Sequence, residues 1–377
     1  MSSPEILKEA DHVMVICNSC RYCEGYCAVF PAMERRRTFT AHDLRYLANL
    51  CHNCRDCYYA CQYAPPHEFD VNVPKTLGEL RLETYQDFTW PGVFKGLFRQ
   101  NGLAVALITT LSVLLVLLLT FLFKGPATVF AIQSGENAFY RIIPYWAIVI
   151  PLTALGLFVL TTLLKGIANF WRETGGTPGE LFGMKANVQA IRDVLQLKYL
   201  DGGGHGCNYP DDRFSFLRKW FHHFVFYGFI LCFISTTIAA IYDHFLHWSA
   251  PYPFWSWPVV LGTVGGASLL VGTVGLLYLK LKMDPAPAPL RAFGMDIAFL
   301  SLLFLTSLTG LLLLLFRETP AMGTLLAVHL GIVLGLFITM PYGKFIHAAY
   351  RYAALVRNAN EKLAEDRLAD DPTQNKA

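Results

Sequence analysis

Residues 17–27 read CNSCRYCEGYC and residues 51–61 read CHNCRDCYYAC, so one pattern of cysteines occurs twice. Both copies follow the spacing C-x2-C-x2-C-x3-C. Three closely spaced thiolates can wrap three corners of an iron–sulfur cubane, and in two-cluster ferredoxins the fourth cysteine binds the other cluster. The spacing therefore predicts two [4Fe–4S] clusters. The first is assigned to Cys17, Cys20, Cys23 and Cys61, and the second to Cys51, Cys54, Cys57 and Cys27.

Tetrahedral zinc is the alternative, since four thiolates also bind that ion. Zinc sites usually pair two C-x2-C units across a longer separation, so the clusters are favoured. In the ferredoxin pattern proline follows the fourth cysteine directly, whereas here Ala28 and Gln62 follow. The stretch AHDLRYLANL at 41–50 has helical periodicity, which predicts an α-helical ferredoxin-like domain over residues 1–100.

The rest of the chain has the composition of a membrane protein, because 54% of the 377 residues are hydrophobic and only 16% are charged. Crossing a bilayer as a helix takes roughly 20 apolar residues. Six runs are long enough, and they are Leu103–Phe123, Pro144–Leu164, Phe221–Tyr242, Pro258–Leu279, Phe293–Phe316 and Leu325–Ile346. We therefore predict a mainly α fold with a six-helix transmembrane domain over residues 101–350.

The basic residues predict the orientation of these spans, because cytoplasmic loops are enriched in Lys and Arg. Such residues number 11 in 1–102, 8 in 165–220, 3 in 280–292 and 6 in 344–377. The three opposite loops hold only Lys124, Arg141 and Arg317. Both termini and the loop 165–220 are therefore predicted to face the cytoplasm, with the spans in the inner (cytoplasmic) membrane of a bacterium.

The two ends of the chain carry further expectations. Residues 1–16 lack the pattern of a secretory signal, which agrees with a cytoplasmic amino terminus. Residues 351–377 are predicted to be a cytoplasmic tail, a short surface helix that gives way to disorder. The formal charge of +3 is too small to indicate a nucleic-acid partner.

Histidines at the ends of the spans are the candidate haem ligands, because ionisable residues within membrane spans usually have a function. His329 and His347 are 18 residues apart on the predicted sixth span, which is five helical turns, so both would lie on one face. His222 and His244 lie at opposite ends of the third span. Pairing His222 with His347 and His244 with His329 predicts one or two bis-histidine b-type haems in a bundle of cytochrome b type.

Other polar residues have two interpretations each. His223 and His247 are alternative haem ligands, but histidines beside Trp and Tyr at a membrane interface are commonly interfacial. Asp296, near the cytoplasmic end of the fifth span, is interpreted either as a proton relay to quinone or as a capping carboxylate.

A glycine-rich run lies in the second cytoplasmic loop. Gly202, Gly203, Gly204 and His205 are interpreted as a turn that docks a partner protein, because no predicted strand precedes them as a phosphate-binding loop would require.

Three stretches and the doubled cysteine motif together resemble one family. The stretches are RYLANLCHNCRDCYYACQYAPPHEF at 45–69, YLDGGGHGCNYPDDRFS at 199–215 and RKWFHHFVFYGF at 218–229. They resemble the TcuB/CitB family of tricarballylate (citrate) utilization proteins, which is also similar to the C-terminal part of CobZ-type proteins. The start of the third span further resembles that of respiratory dihaem cytochrome b subunits in its Lys219, His222 and Gly228, which favours His222 over His223.

The resemblance implies a partner, a TcuA-like FAD-dependent tricarballylate dehydrogenase whose electrons pass through the clusters and haem of this protein to membrane quinone. The lack of a dinucleotide-binding fingerprint agrees with that division of labour. Two rivals remain, namely a quinone-linked redox subunit of another dehydrogenase, such as a heterodisulfide-reductase-like complex, and a redox-sensing membrane transporter. The spans lack the paired broken helices typical of transporters.

Overall fold

Within residues 3–369, which the computed structural model describes, the chain is mainly helical, as predicted. The amino-terminal part contains α1 (Pro4–Cys20), α2 (Val29–Glu34), α3 (Ala41–Leu50), α4 (Asp56–Tyr59) and α5 (Val73–Asp87). Side chains fix where the longer helices begin. The Ser3 hydroxyl accepts a hydrogen bond from the Ile6 N–H at α1, and Thr40 and Asp43 form a capping box at α3. These caps satisfy N–H groups that have no partner within the helix.

The chain then continues into the membrane part. Its helices are α6 (Asn101–Val129), α7 (Ala138–Ile142), α8 (Tyr145–Glu173), α9 (Pro178–Leu181), α10 (Met184–Leu195), α11 (Leu217–His244), α12 (Trp257–Lys282), α13 (Phe293–Leu315) and α14 (Met322–Thr339). Among the described residues, six helices are long and apolar enough to cross a membrane, namely α6, α8 and α11 to α14. The prediction of six spans is confirmed, and the chain is a multi-pass membrane protein.

Close helix contacts hold the bundle together. An ideal Cβ on Gly331 of α14 would lie 2.6 Å from the Cα of Val113 on α6, and one on Gly228 of α11 would lie 2.9 Å from the carbonyl oxygen of Gly265 on α12. Small residues let the backbones of membrane helices approach this closely. Gly228, six residues after His222 in the third span, therefore serves helix packing.

The sixth span is shorter than predicted. The sequence predicted one helix from Leu325 to Ile346, but α14 ends at Thr339 and is followed by two 3-10 turns, Met340–Tyr342 and Lys344–Ile346. Gly343, between the turns, is extended, with φ −143° and ψ −160°. Glycine disfavours a continuous helix, and the ring of nearby Pro341 removes a hydrogen-bond donor.

A separate helix, α15 (His347–Ala369), follows the break. His329 and His347 lie on different helices, so the prediction that five turns of one helix place both on the same face was wrong.

The helix α15 is also a correction to the predicted tail. We expected a surface helix without an apolar face, but Tyr350, Ala353, Ala354 and Val356 are fully buried. The helix packs against α3, α8 and α10, so it belongs to the core. The spacing of its apolar residues is hidden because most of them are alanines. Residues 370–377, for which we expected disorder, lie outside the described residues.

One aromatic cluster joins the amino-terminal part to the membrane bundle. The ring of Tyr350 on α15 stacks on that of Tyr85 on α5, with ring centres 5.7 Å apart, and lies 5.6 Å from that of Phe170 on α8. Arg36 forms ion pairs with Asp43 and with Glu361 of α15. Aromatic side chains that pack together in this way remove large apolar areas from water. The cysteine-bearing part is therefore packed onto the end of the bundle through α8 and α15.

Candidate functional site

The first cysteine group lines a cavity of about 300 Å³ at the end of α1. Cys17, Cys20, Cys23 and Cys61 all line it, together with Cys57. The chain turns sharply after Cys20 because Arg21 adopts a left-handed conformation, with φ 56°, and ends α1. The last cysteine of the second motif thus lies beside the first three of the first motif, which is the crossed arrangement that the spacing predicts.

The second cysteine group lies deeper. Cys51, Cys54 and Cys57 are buried, whereas Cys20 is exposed. The loop between α3 and α4 folds around these thiols through two left-handed residues, Asn53 and Arg55. The Asn53 N–H donates to the Cys51 sulfur at 3.4 Å. Backbone N–H groups that point inward in this way suit a negatively charged centre.

Electrostatic interactions place Cys27 with this second group. Burial raises the pKa of Cys27, and the charge of neighbouring Cys51 raises it further. Burial likewise raises the pKa of Cys57, with Cys27 and Cys51 as the next causes. Thiolates affect one another in this way only when they are close. The fourth cysteine of the first motif therefore lies with the first three of the second.

The donor sets are consistent with iron–sulfur clusters. Burial, reinforced by neighbouring thiolates, raises the pKa of Cys17 and Cys23 to about 12, so these thiols ionise together only with a cationic partner. Within residues 3–369, no three His, Cys, Asp or Glu side chains lie close enough together to hold one metal ion.

The glycine-rich loop covers both motifs. An ideal Cβ on Gly202 would lie 2.2 Å from the Asp56 carboxylate, and one on Gly203 would lie 3.2 Å from the Gly25 carbonyl. Both glycines have positive φ, a backbone conformation that residues other than glycine rarely adopt. The Asn208 N–H donates to Asp56 Oδ1 at 2.8 Å. Of the residues predicted to dock a partner, Gly202 therefore packs inside the protein, whereas Gly203 stays exposed although its backbone approaches that of Gly25.

Gly203, Gly204 and His205 are exposed, with the His205 ring 5.9 Å from that of Phe214, and docking stays a prediction for them. The same loop carries a residue that the sequence analysis missed. Cys207 is fully buried, packs in one cluster with Cys54 and Leu200, and donates its thiol to the Leu200 carbonyl at 3.3 Å. The signal that could have found it is a ninth cysteine directly after the glycine run.

His222 on α11 and His347 at the start of α15 face each other. Their ring centres are 6.3 Å apart, and the ring planes are inclined at 79°. A metal ion bound by two imidazole nitrogens at roughly 2 Å each separates the ring centres by roughly 6 Å. His347 Nδ1 contacts the Lys344 carbonyl, the contact that commonly orients a metal-binding histidine. The Nδ1 of His222 is buried and has no hydrogen-bond partner among residues 3–369. The pair fits a bis-histidine haem.

Two arginines connect this histidine pair to the second cysteine group. Arg218, one turn before His222, donates to the carbonyls of His52, at 3.0 Å, and of Asn53. Arg351, one turn after His347, donates to the carbonyl of Cys51 at 2.8 Å. Neither arginine has a carboxylate partner in the described part of the chain. Two cations therefore lie between the cysteine loop and the histidines.

The remaining histidines have other surroundings. His329 Nδ1 lies 3.0 Å from the Thr309 hydroxyl oxygen, within hydrogen-bonding distance. The His329 ring packs on Gly310 of α13. His244 is exposed at the end of α11, with its ring 6.4 Å from that of Trp146. Within the described residues, no ring contact joins His244 to His329.

The two alternative haem ligands, His223 and His247, have surroundings unlike those of the facing pair His222 and His347. The ring of His223 packs beside those of Trp220 and Tyr227, at 6.1 and 5.7 Å. His247 is exposed in the turn after α11, where its φ is 56°. Both positions suit interfacial side chains.

Asp296 is an ion-paired residue. Its carboxylate lies 2.6 Å from Lys280 Nζ and 2.7 Å from Lys344 Nζ. Burial lowers the pKa of Lys344 to about 8, against the opposing effect of the Asp296 charge. Because the Lys344 carbonyl also contacts His347, Asp296 helps to fix the turn that positions this histidine.

Known proteins match both parts of the chain. The family model for citrate utilization protein B matches residues 96–368, and the model for its Fer4-like domain matches residues 10–87. The citrate utilization protein B of Escherichia coli is 49% identical over 366 residues, which cover 96% of this chain and 94% of that protein. No solved structure matches. The predicted resemblance and the predicted ferredoxin-like domain are confirmed, and the chain belongs to the citrate utilization protein B family.

Proposed function

We propose that this chain is the membrane electron-transfer subunit of a citrate or tricarballylate utilization system. It reoxidises the reduced FAD of a partner dehydrogenase, TcuA-like, and delivers the electrons to membrane quinone. The observation that carries the proposal is the link from the second cysteine group to the His222 and His347 pair through Arg218 and Arg351. A cysteine domain built only to sense redox state would not need this connection to a histidine pair within a membrane bundle.

The proposed ligands follow from the geometry. Two [4Fe–4S] clusters are held by the crossed sets of cysteines, and one haem b is held by His222 and His347. When bound, these groups supply one-electron transfer, which connects a two-electron flavin donor to quinone. We propose no second haem, because His329 is engaged by Thr309 and His244 is exposed near Trp146.

The chain's own residues give the proposed path a direction. The first cysteine group is nearer the surface, since Cys20 is exposed and Tyr22 is 70% exposed, so it suits the entry from a partner. The second group is buried and lies beside Arg81 and Arg351, which both donate to the carbonyl of Cys51. Positive charge near a metal cluster favours its reduced form.

The membrane placement is part of the proposal. The distribution of Lys and Arg favours both termini on the cytoplasmic side of a bacterial inner membrane. We place the boundary between the cysteine domain and the bundle near residue 100, and we assign α15 to the cytoplasmic end of the core.

The proposal is tested with single substitutions in full-length protein assayed with its dehydrogenase partner. We expect His222→Ala and His347→Ala to abolish the haem absorbance and quinone reduction while the content of cluster iron and sulfide stays unchanged. The matched control is His223→Ala, next in sequence but packed against Trp220, which is expected to retain both. Loss of haem in the control with retention in the other two variants would overturn the assignment.

A further inference from the structure

The helix α10 has three distinct faces. Ala186, Ala190 and Asp193 are buried against the protein. Lys185, Gln189, Arg192 and Gln196 form an exposed polar stripe. Met184, Val188, Ile191 and Leu195 form a third stripe, which we call the apolar stripe, with exposed fractions of 79, 58, 47 and 41%. A helix of a soluble surface has no reason to expose four apolar residues in register.

Two contacts fix this helix beside the membrane bundle. The Tyr227 hydroxyl, on the third span, donates to the Leu195 carbonyl at 2.7 Å. The Tyr352 hydroxyl, on α15, donates to Asn187 Oδ1 at 2.5 Å. Trp220 and Phe224, on the same face of that span as Tyr227, are exposed apolar residues too. The apolar stripe therefore lies on a helix that is held against an apolar face of a predicted membrane span.

We propose that α10 is an interfacial helix whose apolar stripe is embedded in the cytoplasmic leaflet of the membrane. Amphipathic helices of this kind bury their apolar face roughly 5–10 Å into the boundary between headgroups and acyl chains. The second cytoplasmic loop, which the sequence suggested as a docking loop, thereby becomes a membrane contact along this helix. The inference does not depend on the proposed electron transfer.

The charges beside the apolar stripe suit anionic lipid. Lys185 and Arg192 lie next to the stripe on the helix surface, and within residues 3–369 neither forms an ion pair with a carboxylate. Free cations at a membrane surface attract anionic phospholipid headgroups. A partner protein is the other occupant of an exposed apolar face, and the experiment separates the two.

The experiment uses the full-length protein in nanodiscs of phosphatidylethanolamine and phosphatidylglycerol. A trifluoromethyl-phenylalanine is placed at position 188, in the apolar stripe, or at position 189, in the polar stripe, as the matched control. Relaxation of the fluorine signal is measured with a lipid-borne nitroxide and with a water-soluble gadolinium chelate. We expect the nitroxide to relax the signal at 188 more strongly than at 189, and the gadolinium to do the reverse.

The outcomes decide between occupants. Equal access of gadolinium to both positions would overturn the proposal, because the apolar stripe would then be in water. Shielding of position 188 only after addition of the partner dehydrogenase would also overturn it, in favour of a protein-docking face. As a second measurement, Lys185→Gln with Arg192→Gln should weaken the nitroxide effect at 188 in the same nanodiscs, and an unchanged effect would contradict the role of anionic headgroups.

Discussion

Arg351 offers the most quantitative test of the link between the second cysteine group and the histidine pair. Its guanidinium donates to the Cys51 carbonyl at 2.8 Å. Burial, then the nearby charge of Arg81, lowers the pKa of Arg351 to about 10, so it is still charged at neutral pH. Arg351→Gln removes one positive charge beside the proposed second cluster and keeps most of the side-chain volume.

The expected effect follows from Coulomb's law. For a separation of roughly 7 Å and an effective dielectric constant of about 20, one unit charge contributes about 2.4 kcal/mol. A tenfold change in the equilibrium constant of a one-electron reduction corresponds to about 59 mV. The reduction potential of the second cluster should therefore fall by roughly 100 mV. The first cluster should change much less, because Arg351 contacts the loop of the second group through the Cys51 carbonyl.

The assay is an anaerobic redox titration of the full-length protein followed by electron paramagnetic resonance. Arg351→Lys keeps the charge and should restore most of the potential. Arg357→Gln, further along α15 and placed over the ring of Tyr46, is the matched control and should leave the potential unchanged. A normal potential in a fully loaded Arg351→Gln variant would refute the electrostatic link.

Three further substitutions test the surroundings of the site. Gly202→Ala should lower the free energy of unfolding by about 1–3 kcal/mol and reduce the iron content, because φ is positive there and the new Cβ would meet the Asp56 carboxylate. Full iron loading would contradict the role of the glycine-rich loop in covering the cysteine motifs. Asp296→Asn should lower the thermal midpoint in detergent by an amount equivalent to about 3–5 kcal/mol, since two partly buried lysines lose their counter-charge, and an unchanged midpoint would contradict the ion-pair role. Cys207→Ala should shift the potential of the second cluster alone, because it opens a space beside Cys54, with which Cys207 is buried in one cluster; identical titrations would contradict an effect of that contact.

Short-range sequence patterns predicted the parts of the fold that depend on them. The apolar runs were long enough to identify all six spans, because only a continuous stretch of apolar side chains can cross a bilayer. The repeated cysteine spacing predicted that Cys61 lies with the first group, since a tight loop can supply only three corners of a cubane. Neither inference needed knowledge of distant contacts.

Long-range contacts explain what the sequence did not predict. The helix break after Thr339 involves Pro341 and Gly343. Because membrane helices often tolerate both residue types, hydropathy alone could not locate the end of the helix. The pairing of His222 with His347 was predicted from the membrane side that both would share, whereas the helical phase predicted to relate His347 to His329 does not exist. The burial of α15, the cover by Gly202 and the contact of Cys207 with Cys54 all join segments far apart in sequence.

The central claim is that eight cysteines hold two iron–sulfur clusters next to a histidine pair that holds haem. The most direct measurement is the content of iron, sulfide, zinc and haem per chain after anaerobic purification, combined with Mössbauer spectra of the same sample. The account predicts about eight cluster irons and eight sulfides, with one haem that disappears in His347→Ala. Stoichiometric zinc in place of iron and sulfide would contradict it.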